Sequence, residues 1–134
     1  MSRFIGFGID EPIAWVADDD PEMLALLGDL LEVRGFQVES FLDGEALAHA
    51  LRTLVDRRAP RAPDLVVTDV YMPGRTGIDV LAELRNGDWS IPVIVITTGP
   101  SVGLVREVHR LGAVELLEKP FDPHRLQHLA SACV

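Results

Sequence analysis

The sequence predicts an α/β domain built on a doubly wound parallel sheet of five strands, flanked by five helices. Five short apolar runs alternate with segments whose leucines and valines recur at three- and four-residue spacing. Glycines, prolines and acids separate these segments. Alternation of strand and helix along a chain is typical of a parallel sheet with helices on both faces. The length of 134 residues fits one domain.

The chain is acidic, with a formal net charge of -9 and a sequence pI of about 4.7. An acidic surface binds poorly to nucleic acid and to anionic membranes, so we expect neither as a direct partner. Residues 4–9 form an apolar stretch that glycines interrupt and acids follow, which fits neither a signal peptide nor a membrane span. The single cysteine, Cys133, excludes an internal disulfide and fits a reducing cytoplasm, where we expect a surface thiol.

The first strand is predicted at residues 13–17, after a lead-in of residues 1–12 that shows no clear period. The strand runs into three consecutive acids, Asp18, Asp19 and Asp20. Proline is favoured at the first position of a helix and aspartate just before it. The last acid is therefore predicted to cap a helix that begins at Pro21. The other two acids are left in the loop that follows the strand.

The second strand and helix follow the same pattern. Gly35 is expected to end the first helix near residue 34. Residues 36–41 alternate as a second strand, and Asp43-Gly44 turns the chain into a second helix. The apolar stripe of that helix is predicted to comprise Ala46, Leu47, Ala50, Leu51 and Leu54. The arginines beyond it, Arg57, Arg58 and Arg61, are expected to lie in a solvated loop.

The third strand, residues 65–69, is a continuous apolar run that ends in one acid, Asp69. Three residues that break regular structure end it, namely Pro73, Gly74 and Gly77. The helix that follows, residues 76–86, is expected to end at Gly87, and Trp89 is expected to cover an edge of the core. A lone carboxylate at the carboxyl end of such a strand lies where open α/β sheets form their crevice.

A fourth buried strand is predicted at residues 92–96, and it leads into Thr97 and Thr98. The helix at residues 101–111 follows, and Gly112 is expected to end it. Its predicted apolar stripe comprises Leu104, Val105, Val108 and Leu111.

The last strand is predicted at residues 113–117, and it runs into Lys119. The last helix, residues 123–132, begins with proline directly after a predicted N-cap, Asp122. With this pair the alternation of strand and helix is complete.

All strand carboxyl ends of a parallel sheet point the same way, so five polar side chains should share one rim. They are Asp18, Asp19, Asp69, Thr97 and Lys119. Carboxylates within ~5 Å repel each other by roughly 3 kcal/mol per pair at an effective dielectric constant of 20. Either the lysine ammonium or a divalent cation must balance them, and an all-oxygen site suits Mg²⁺. With a neutral hydroxyl donor added, the rim suits phosphoryl transfer onto Asp69, which needs positioning and charge neutralisation.

The motifs on this rim resemble those of the receiver domain of two-component response regulators, over about residues 13–132. They are Val16-Ala17-Asp18-Asp19-Asp20-Pro21, Thr68-Asp69-Val70-Tyr71-Met72-Pro73-Gly74, Val95-Ile96-Thr97, and Gly112-Ala113 with Glu118-Lys119-Pro120-Phe121. Each motif is weak or moderate by itself. All of them in order, each next to a predicted strand, form a specific signature.

The resemblance implies a flavodoxin-like fold with strand order 2-1-3-4-5, and a phosphoacceptor signalling domain rather than an enzyme. It implies that Asp69 takes a phosphoryl group from a sensor histidine kinase or a phosphotransfer domain. It further implies that Asp19 binds Mg²⁺ directly, that Asp18 acts mostly through water, and that the backbone carbonyl of Tyr71 is a further ligand.

The same resemblance matches Thr97 and Lys119 to the groups that bind the phosphoryl oxygens. It implies a downstream protein target or an output domain outside this chain, and it is compatible with a phosphorylation-linked dimer. Residues 13–134 are expected to form the receiver domain, with no output domain in this chain. A stand-alone receiver and a fragment of a longer regulator both stay open.

The chain departs from the family pattern at two positions. Leu116 stands three residues before the lysine, where the family usually has an aromatic residue that responds to the switch threonine. We therefore expect the output on that face to be weak or to run differently. Thr98 stands where a small residue is common, and together with Tyr71 it is expected to crowd an attacking water and slow loss of the phosphoryl group.

Other functions fit the sequence less well. A phosphorylation-independent interaction module, a degenerate receiver, is the main alternative, and Leu116 keeps it open. A phosphatase with an aspartyl-phosphate intermediate needs a second acid two residues after the nucleophile, where Tyr71 stands. A flavin binder needs a phosphate cradle where this chain has acids. His124 and His128 lack a third zinc ligand, so we expect them on the surface.

Overall fold

The computed structural model describes residues 11–55, 61–87 and 90–134. Residues 1–10 of the predicted lead-in, Arg57 and Arg58 of the basic loop, and Trp89 lie outside the described residues. Arg61 is exposed, which agrees with the predicted solvated loop, and its Nη2 lies 3.3 Å from Asp64 Oδ2.

The sheet has five parallel strands, which confirms the predicted fold class. The strands are β1 (Ile13–Ala17), β2 (Gln37–Phe41), β3 (Leu65–Asp69), β4 (Val93–Thr97) and β5 (Glu115–Glu118). Their spatial order is β2-β1-β3-β4-β5, the order that the resemblance implies. The strand that ends in Asp69 is therefore central, and it lies between the strands that lead into Asp18 and Thr97.

Five helices cover the two faces of the sheet. They are α1 (Pro21–Glu32), α2 (Gly44–Val55), α3 (Gly77–Asn86), α4 (Val102–Arg110) and α5 (Pro123–Ala132). Side chains alternate along each strand, so Val66 packs with α2, α3 and α4 while Leu65 and Val67 pack with α1 and α5. Both faces of the three central strands are buried, which accounts for their continuous apolar sequences.

The outermost strand next to β1 is β2, and it is the least buried strand of the sheet. Its residues Gln37, Glu39 and Ser40 are exposed, while Val38 and Phe41 are half-buried. This exposure fits the alternating sequence of the strand and its place at the edge.

The helix starts confirm the predicted caps. The Asp20 carboxylate accepts a hydrogen bond from the Glu22 N–H at 3.0 Å, and the Asp122 carboxylate accepts one from the His124 N–H at 2.9 Å. Thr76 and Asp79 form a reciprocal capping box at the start of α3. Aspartate before proline thus begins both α1 and α5, as the sequence predicts.

Several predictions about the helices are wrong in detail. Ala46 and Val105 are exposed. Each lies one residue from a side chain that packs on the core, Leu47 in α2 and Leu104 in α4, and one residue turns a helical side chain by about 100°. Gly87 ends α3 as predicted, with a φ of -89°. The first helix ends at Glu32, two residues early, and strands β4 and β5 begin later than predicted.

Cys133 lies at the surface but is only partly exposed. Its Sγ donates to the Leu129 carbonyl at 3.3 Å, one turn back along α5. Burial raises the pKa of the thiol above its ordinary value, which keeps it in the less reactive protonated form.

The first residue of α2, Gly44, lies in close contact with the loop between β3 and α3. A Cβ atom on Gly44 would lie 1.9 Å from the carbonyl oxygen of Arg75, which no side chain tolerates. A helical glycine elsewhere, Gly28 in α1, has open space: its Cβ would lie 3.9 Å from the nearest atom, on Val38. The start of α2 is thus fitted to the backbone of the loop that follows β3.

We expect Gly44→Ala and Gly28→Ala to change stability in opposite directions. Gly44→Ala should lower the free energy of unfolding by roughly 1–3 kcal/mol, because the loop must move away from the new methyl group. Gly28→Ala should raise it by up to about 1 kcal/mol, because alanine favours the helix and meets no clash. Urea unfolding of both variants beside the unsubstituted protein measures the difference. A Gly44→Ala variant as stable as the unsubstituted protein would contradict the close contact at Gly44.

Candidate functional site

The acids predicted on the rim lie together at the carboxyl ends of β1 and β3. Asp18 follows β1 and is 1% exposed, and Asp69 ends β3 and is 7% exposed. Asp19, the next residue in the loop, is exposed to solvent. Two carboxylates are thus buried side by side, with a third at the surface above them.

The Lys119 side chain, which follows β5, reaches both buried carboxylates. Its Nζ donates to Asp18 Oδ2 at 2.9 Å and lies 3.3 Å from Asp69 Oδ2. The backbone N–H of Lys119 donates to the Thr97 carbonyl at 2.7 Å, which fixes the lysine to the end of β4. The ammonium of Lys119 therefore balances the negative charge of the two buried carboxylates.

The remaining oxygen of each buried carboxylate accepts a backbone hydrogen bond. Asp18 Oδ1 accepts from the Asp20 N–H at 2.9 Å, and Asp69 Oδ1 accepts from the Val70 N–H at 2.8 Å. Each carboxylate is held between an N–H donor and the ammonium of Lys119. Such two-sided contacts fix the orientation of both groups before any ligand arrives.

The pKa values of Asp69 and Lys119 are both shifted. Burial, followed by the charge of Asp18, raises the pKa of Asp69 above its ordinary value, although Lys119 and the Val70 N–H oppose the change. Burial alone would lower the pKa of Lys119, but the hydrogen bond and charge of Asp18 and the contact with Asp69 outweigh it and raise that pKa. Lys119 therefore stays charged over the whole physiological range, and Asp69 takes up a proton more readily than an ordinary aspartate.

The three acids fit a small divalent cation. One carboxylate oxygen each from Asp18, Asp19 and Asp69 lies within 4.8 Å of the other two. Two oxygens bound to one Mg²⁺ at ~2.1 Å are at most about 4.2 Å apart, so small side-chain movements suffice. The donors are hard oxygens, which suit Mg²⁺ rather than zinc or copper. Tyr71, whose carbonyl the resemblance adds to this set, follows β3 by two residues, and the residue is 59% exposed.

The two threonines after β4 differ in their surroundings. Thr97 is fully buried, and its hydroxyl donates to the Thr98 carbonyl at 3.4 Å. Thr98 is exposed. Leu116 on β5 is half-buried and packs on the α2-α3-α4 side of the sheet. The structure thus brings the three acids and Lys119 together and leaves the Thr97 hydroxyl in a weak local contact.

Two residues that shape the site were not predicted. A Cβ atom on Gly77 would lie 2.2 Å from the carbonyl oxygen of Asp69. Glycine is therefore required at this position, because the backbone at the start of α3 passes directly against the backbone of Asp69. The Thr68 hydroxyl donates to the same carbonyl at 2.9 Å. The sequence carries no signal for the Gly77 contact, because a close approach between residues eight apart depends on the folded loop.

The other candidate sites receive no support. His124 and His128 are both exposed, as expected. Within the described ranges, the three aspartates form the one group of at least three acidic, histidine or cysteine side chains close enough to share a metal ion. Among the helices of the described residues, none is long and apolar enough to cross a membrane.

Comparison with protein families matches residues 14–131 to the response regulator receiver domain. Among relatives of known sequence, the transcriptional regulatory protein FixJ of Bradyrhizobium diazoefficiens is 36% identical over 120 residues, which is 90% of this chain and 55% of FixJ. The transcriptional regulatory protein PrrA of Mycobacterium tuberculosis is 37% identical over 114 residues, which is 85% of this chain and 46% of PrrA. The chain spans about half the length of these relatives.

Solved structures agree with this match. The receiver domain of the Francisella response regulator 1452 aligns with a TM-score of 0.80 at 25% identity, over 91% of this chain and 95% of that one. Full-length FixJ from B. japonicum aligns with a TM-score of 0.77 at 34% identity, over 91% of this chain and 57% of FixJ. The chemotaxis response regulator CheY4 of Vibrio cholerae aligns with a TM-score of 0.75 at 27% identity, over 92% of this chain and 99% of CheY4.

We expect Asp69→Asn to stabilise the metal-free protein at pH 7. The pKa of Asp69 is raised on folding, so its ionised form costs stability above that pKa, and the cost disappears below the unfolded value of about 3.9. Asparagine removes the charge and can still accept from the Val70 N–H. The free energy of unfolding should rise by about 1 kcal/mol at pH 7, and the gain should shrink as the pH falls toward 4.

Urea unfolding in a chelator at several pH values measures this effect, with Asp29→Asn on the exposed face of α1 as the control. A variant that is less stable at pH 7, or a gain that grows in acid, would contradict the assignment of Asp69 as a destabilised buried charge.

Proposed function

This chain belongs to the family of response regulator receiver domains, and from that premise we propose that Asp69 is its phosphoacceptor. The donor is the phosphohistidine of a sensor histidine kinase or a phosphotransfer domain. The observation that carries the proposal is the contact of one ammonium, on Lys119, with two buried carboxylates at the carboxyl end of the central strand.

The transfer needs no catalytic base on this chain. A carboxylate oxygen of Asp69 forms the new P–O bond while the P–N bond of the donor histidine breaks, and the imidazole leaves with the electron pair of that bond. The ionised carboxylate is the nucleophile, so no proton must be removed from it. Positioning and charge neutralisation supply most of the rate in such reactions.

Asp18, Asp19, Asp69 and the backbone carbonyl of Tyr71 would hold Mg²⁺ in this proposal. When bound, the ion would neutralise negative charge on the incoming phosphoryl oxygens. The buried acids are already oriented by backbone N–H groups, and Asp19 offers an exposed carboxylate beside them. Hard oxygen donors at this spacing support the assignment.

Phosphorylation would change the contacts of Lys119 and Thr97. The Asp69 carboxylate loses its charge when it is phosphorylated, and the phosphoryl oxygens become the stronger acceptors for the ammonium. The Thr97 hydroxyl can leave its 3.4 Å contact with the Thr98 carbonyl at little cost. Charge-assisted hydrogen bonds contribute roughly 1.5–3 kcal/mol each. Two of them approach the ~5.5 kcal/mol that turns a 1:99 equilibrium into 99:1.

The domain is a signalling module in this proposal, and the relatives include transcriptional regulators. Residues 13–134 would form the receiver unit, and a protein target or an output domain outside them would read its state. The same proposal includes a cytoplasmic setting and a phosphorylation-linked dimer. It includes no direct contact with nucleic acid or membrane, because the net charge of the chain is -9.

Incubation with acetyl phosphate and Mg²⁺ tests the proposal, with intact mass as the measurement. We expect one phosphoryl adduct on the unsubstituted protein and on Asp29→Ala, and none on Asp69→Ala or in the presence of a chelator. Absence of an adduct on the unsubstituted protein, with partner binding retained, would favour a phosphorylation-independent interaction module, the alternative that Leu116 keeps open. Turnover of a small phosphoester would instead favour a phosphatase.

We also expect Thr98→Ala to lose its phosphoryl group faster than the unsubstituted protein. Thr98 and Tyr71 are both exposed at the rim, where their side chains would crowd a water approaching the acyl phosphate. Relief of that crowding by about 1 kcal/mol corresponds to a roughly fivefold faster decay. Decay of the adduct by intact mass gives the rates, with Thr53→Ala on α2 as the control. An unchanged or slower decay in Thr98→Ala would remove the crowding hypothesis.

A further inference from the structure

Four charged side chains form a closed ring beside the loop that follows β3. The charge ring comprises Glu45 and Arg52 of α2, Arg75 of the loop, and Glu83 of α3. Arg75 Nε lies 3.3 Å from Glu45 Oε2, and Arg75 Nη1 donates to Glu83 Oε2. Arg52 closes the ring at 3.4 Å from Glu45 Oε1 and 3.9 Å from Glu83 Oε1. Each glutamate therefore bridges both arginines.

Arg75 and Glu83 are the better shielded members of the charge ring. Their side chains are 34% exposed, whereas those of Arg52 and Glu45 are 46% and 58% exposed. Arg75 Nε is buried and faces Glu45 without the geometry of a hydrogen bond, so the attraction at that contact is electrostatic. Isolated surface ion pairs contribute little, but a closed network around a half-buried arginine holds its backbone in place.

The backbone of Arg75 belongs to the loop of residues 70–76, which also contains Tyr71. The Gly77 N–H donates to the Val70 carbonyl at 2.9 Å across this loop, and the side chains of Val70 and Met72 are buried in the core. The Arg75 carbonyl abuts Gly44 at the start of α2, and the Arg75 side chain, the one long charged side chain of the loop, enters the charge ring. The close approach to Gly44 limits how near the backbone can come to α2. The charge ring adds an attraction between the Arg75 end of the loop and helices α2 and α3.

We propose, on the basis of the function proposed above, that Arg75 is a positioning residue for the cation site. Through the charge ring it holds the loop of residues 70–76 so that the backbone oxygen of Tyr71 keeps its place relative to Asp69. Mg²⁺ requires near-octahedral geometry at ~2.1 Å, and it tolerates misplaced ligands poorly. Contacts that orient metal ligands from outside change affinity by about 10- to 100-fold when they are removed.

The direction of the change in Mg²⁺ affinity distinguishes a positioning role of Arg75 from a purely electrostatic effect of its charge. Arg75 is a positive charge near a cation site, so loss of that charge alone would strengthen cation binding. Loss of positioning weakens it. Arg52→Met removes the same charge from the same ring without touching the loop, and it is therefore the matched control for Arg75→Met.

Isothermal titration calorimetry with Mg²⁺ alone measures the dissociation constant of each variant. We expect roughly tenfold weaker binding in Arg75→Met, at the lower end of the range for such contacts. We expect a change of less than about twofold in Arg52→Met, since screening limits the field of an exposed charge. Arg75→Lys should be intermediate, because lysine keeps the charge but lacks the planar fork through which the separate Nε and Nη1 atoms of Arg75 contact Glu45 and Glu83. Urea unfolding of each variant confirms that the folded fraction is the same.

The outcomes distinguish this inference from the proposed function. If the unsubstituted protein binds no Mg²⁺, the proposed cation site is wrong and the role of Arg75 is wrong with it. If the unsubstituted protein binds and Arg75→Met binds equally well or more tightly, only the positioning role is wrong. Equal losses in Arg75→Met and Arg52→Met would also overturn it, because a general loss of helix packing would then be the cause.

Discussion

Lys119 places one ammonium between two buried carboxylates, and this interaction determines how the rest of the domain must be arranged. Burial of two carboxylates side by side is costly without a positive neighbour, and Asp18 and Asp69 share one. The two acids must therefore lie on adjacent strands, and the lysine must reach them from beyond β4. The strand order β2-β1-β3-β4-β5 meets this requirement, because β1 and β3 are neighbours. The backbone N–H of Lys119 donates a hydrogen bond to the carbonyl of Thr97 at the end of β4.

Much of this arrangement follows from the sequence alone. The bounds of β1, β3 and α5 agree with prediction, because each is an abrupt change from apolar residues to acids or proline. The shared rim follows from parallel topology, since strands of one direction must end at one edge. The order of the strands did not follow from the residues, and the resemblance supplied it. The periodicity of apolar residues identifies helices and strands, whereas the pairing of β1 with β3 depends on contacts between segments that are distant in the sequence.

The features that the sequence did not predict all depend on how separate elements meet. Ala46 and Val105 have apolar side chains and helical spacing, yet each lies just outside the buried stripe that its helix presents. The need for glycine at Gly77 arises from the Asp69 carbonyl, eight residues earlier. The charge ring joins α2, α3 and the loop that follows β3 through charged side chains, which the sequence pattern predicts to be exposed to solvent. Such contacts are set by the packing angle and register of whole helices.

The edge position of β2 bears on how the domain avoids polymerising. An edge strand leaves one row of backbone N–H and C=O groups unpaired, and such a row can template the sheet of another molecule. Glu39 is the middle residue of β2 and is exposed. If two copies joined in antiparallel register across this edge, their Glu39 carboxylates would stand opposite each other, and like charges in that position are destabilising. One acid at the centre of the strand thus opposes edge-to-edge pairing of two copies through β2.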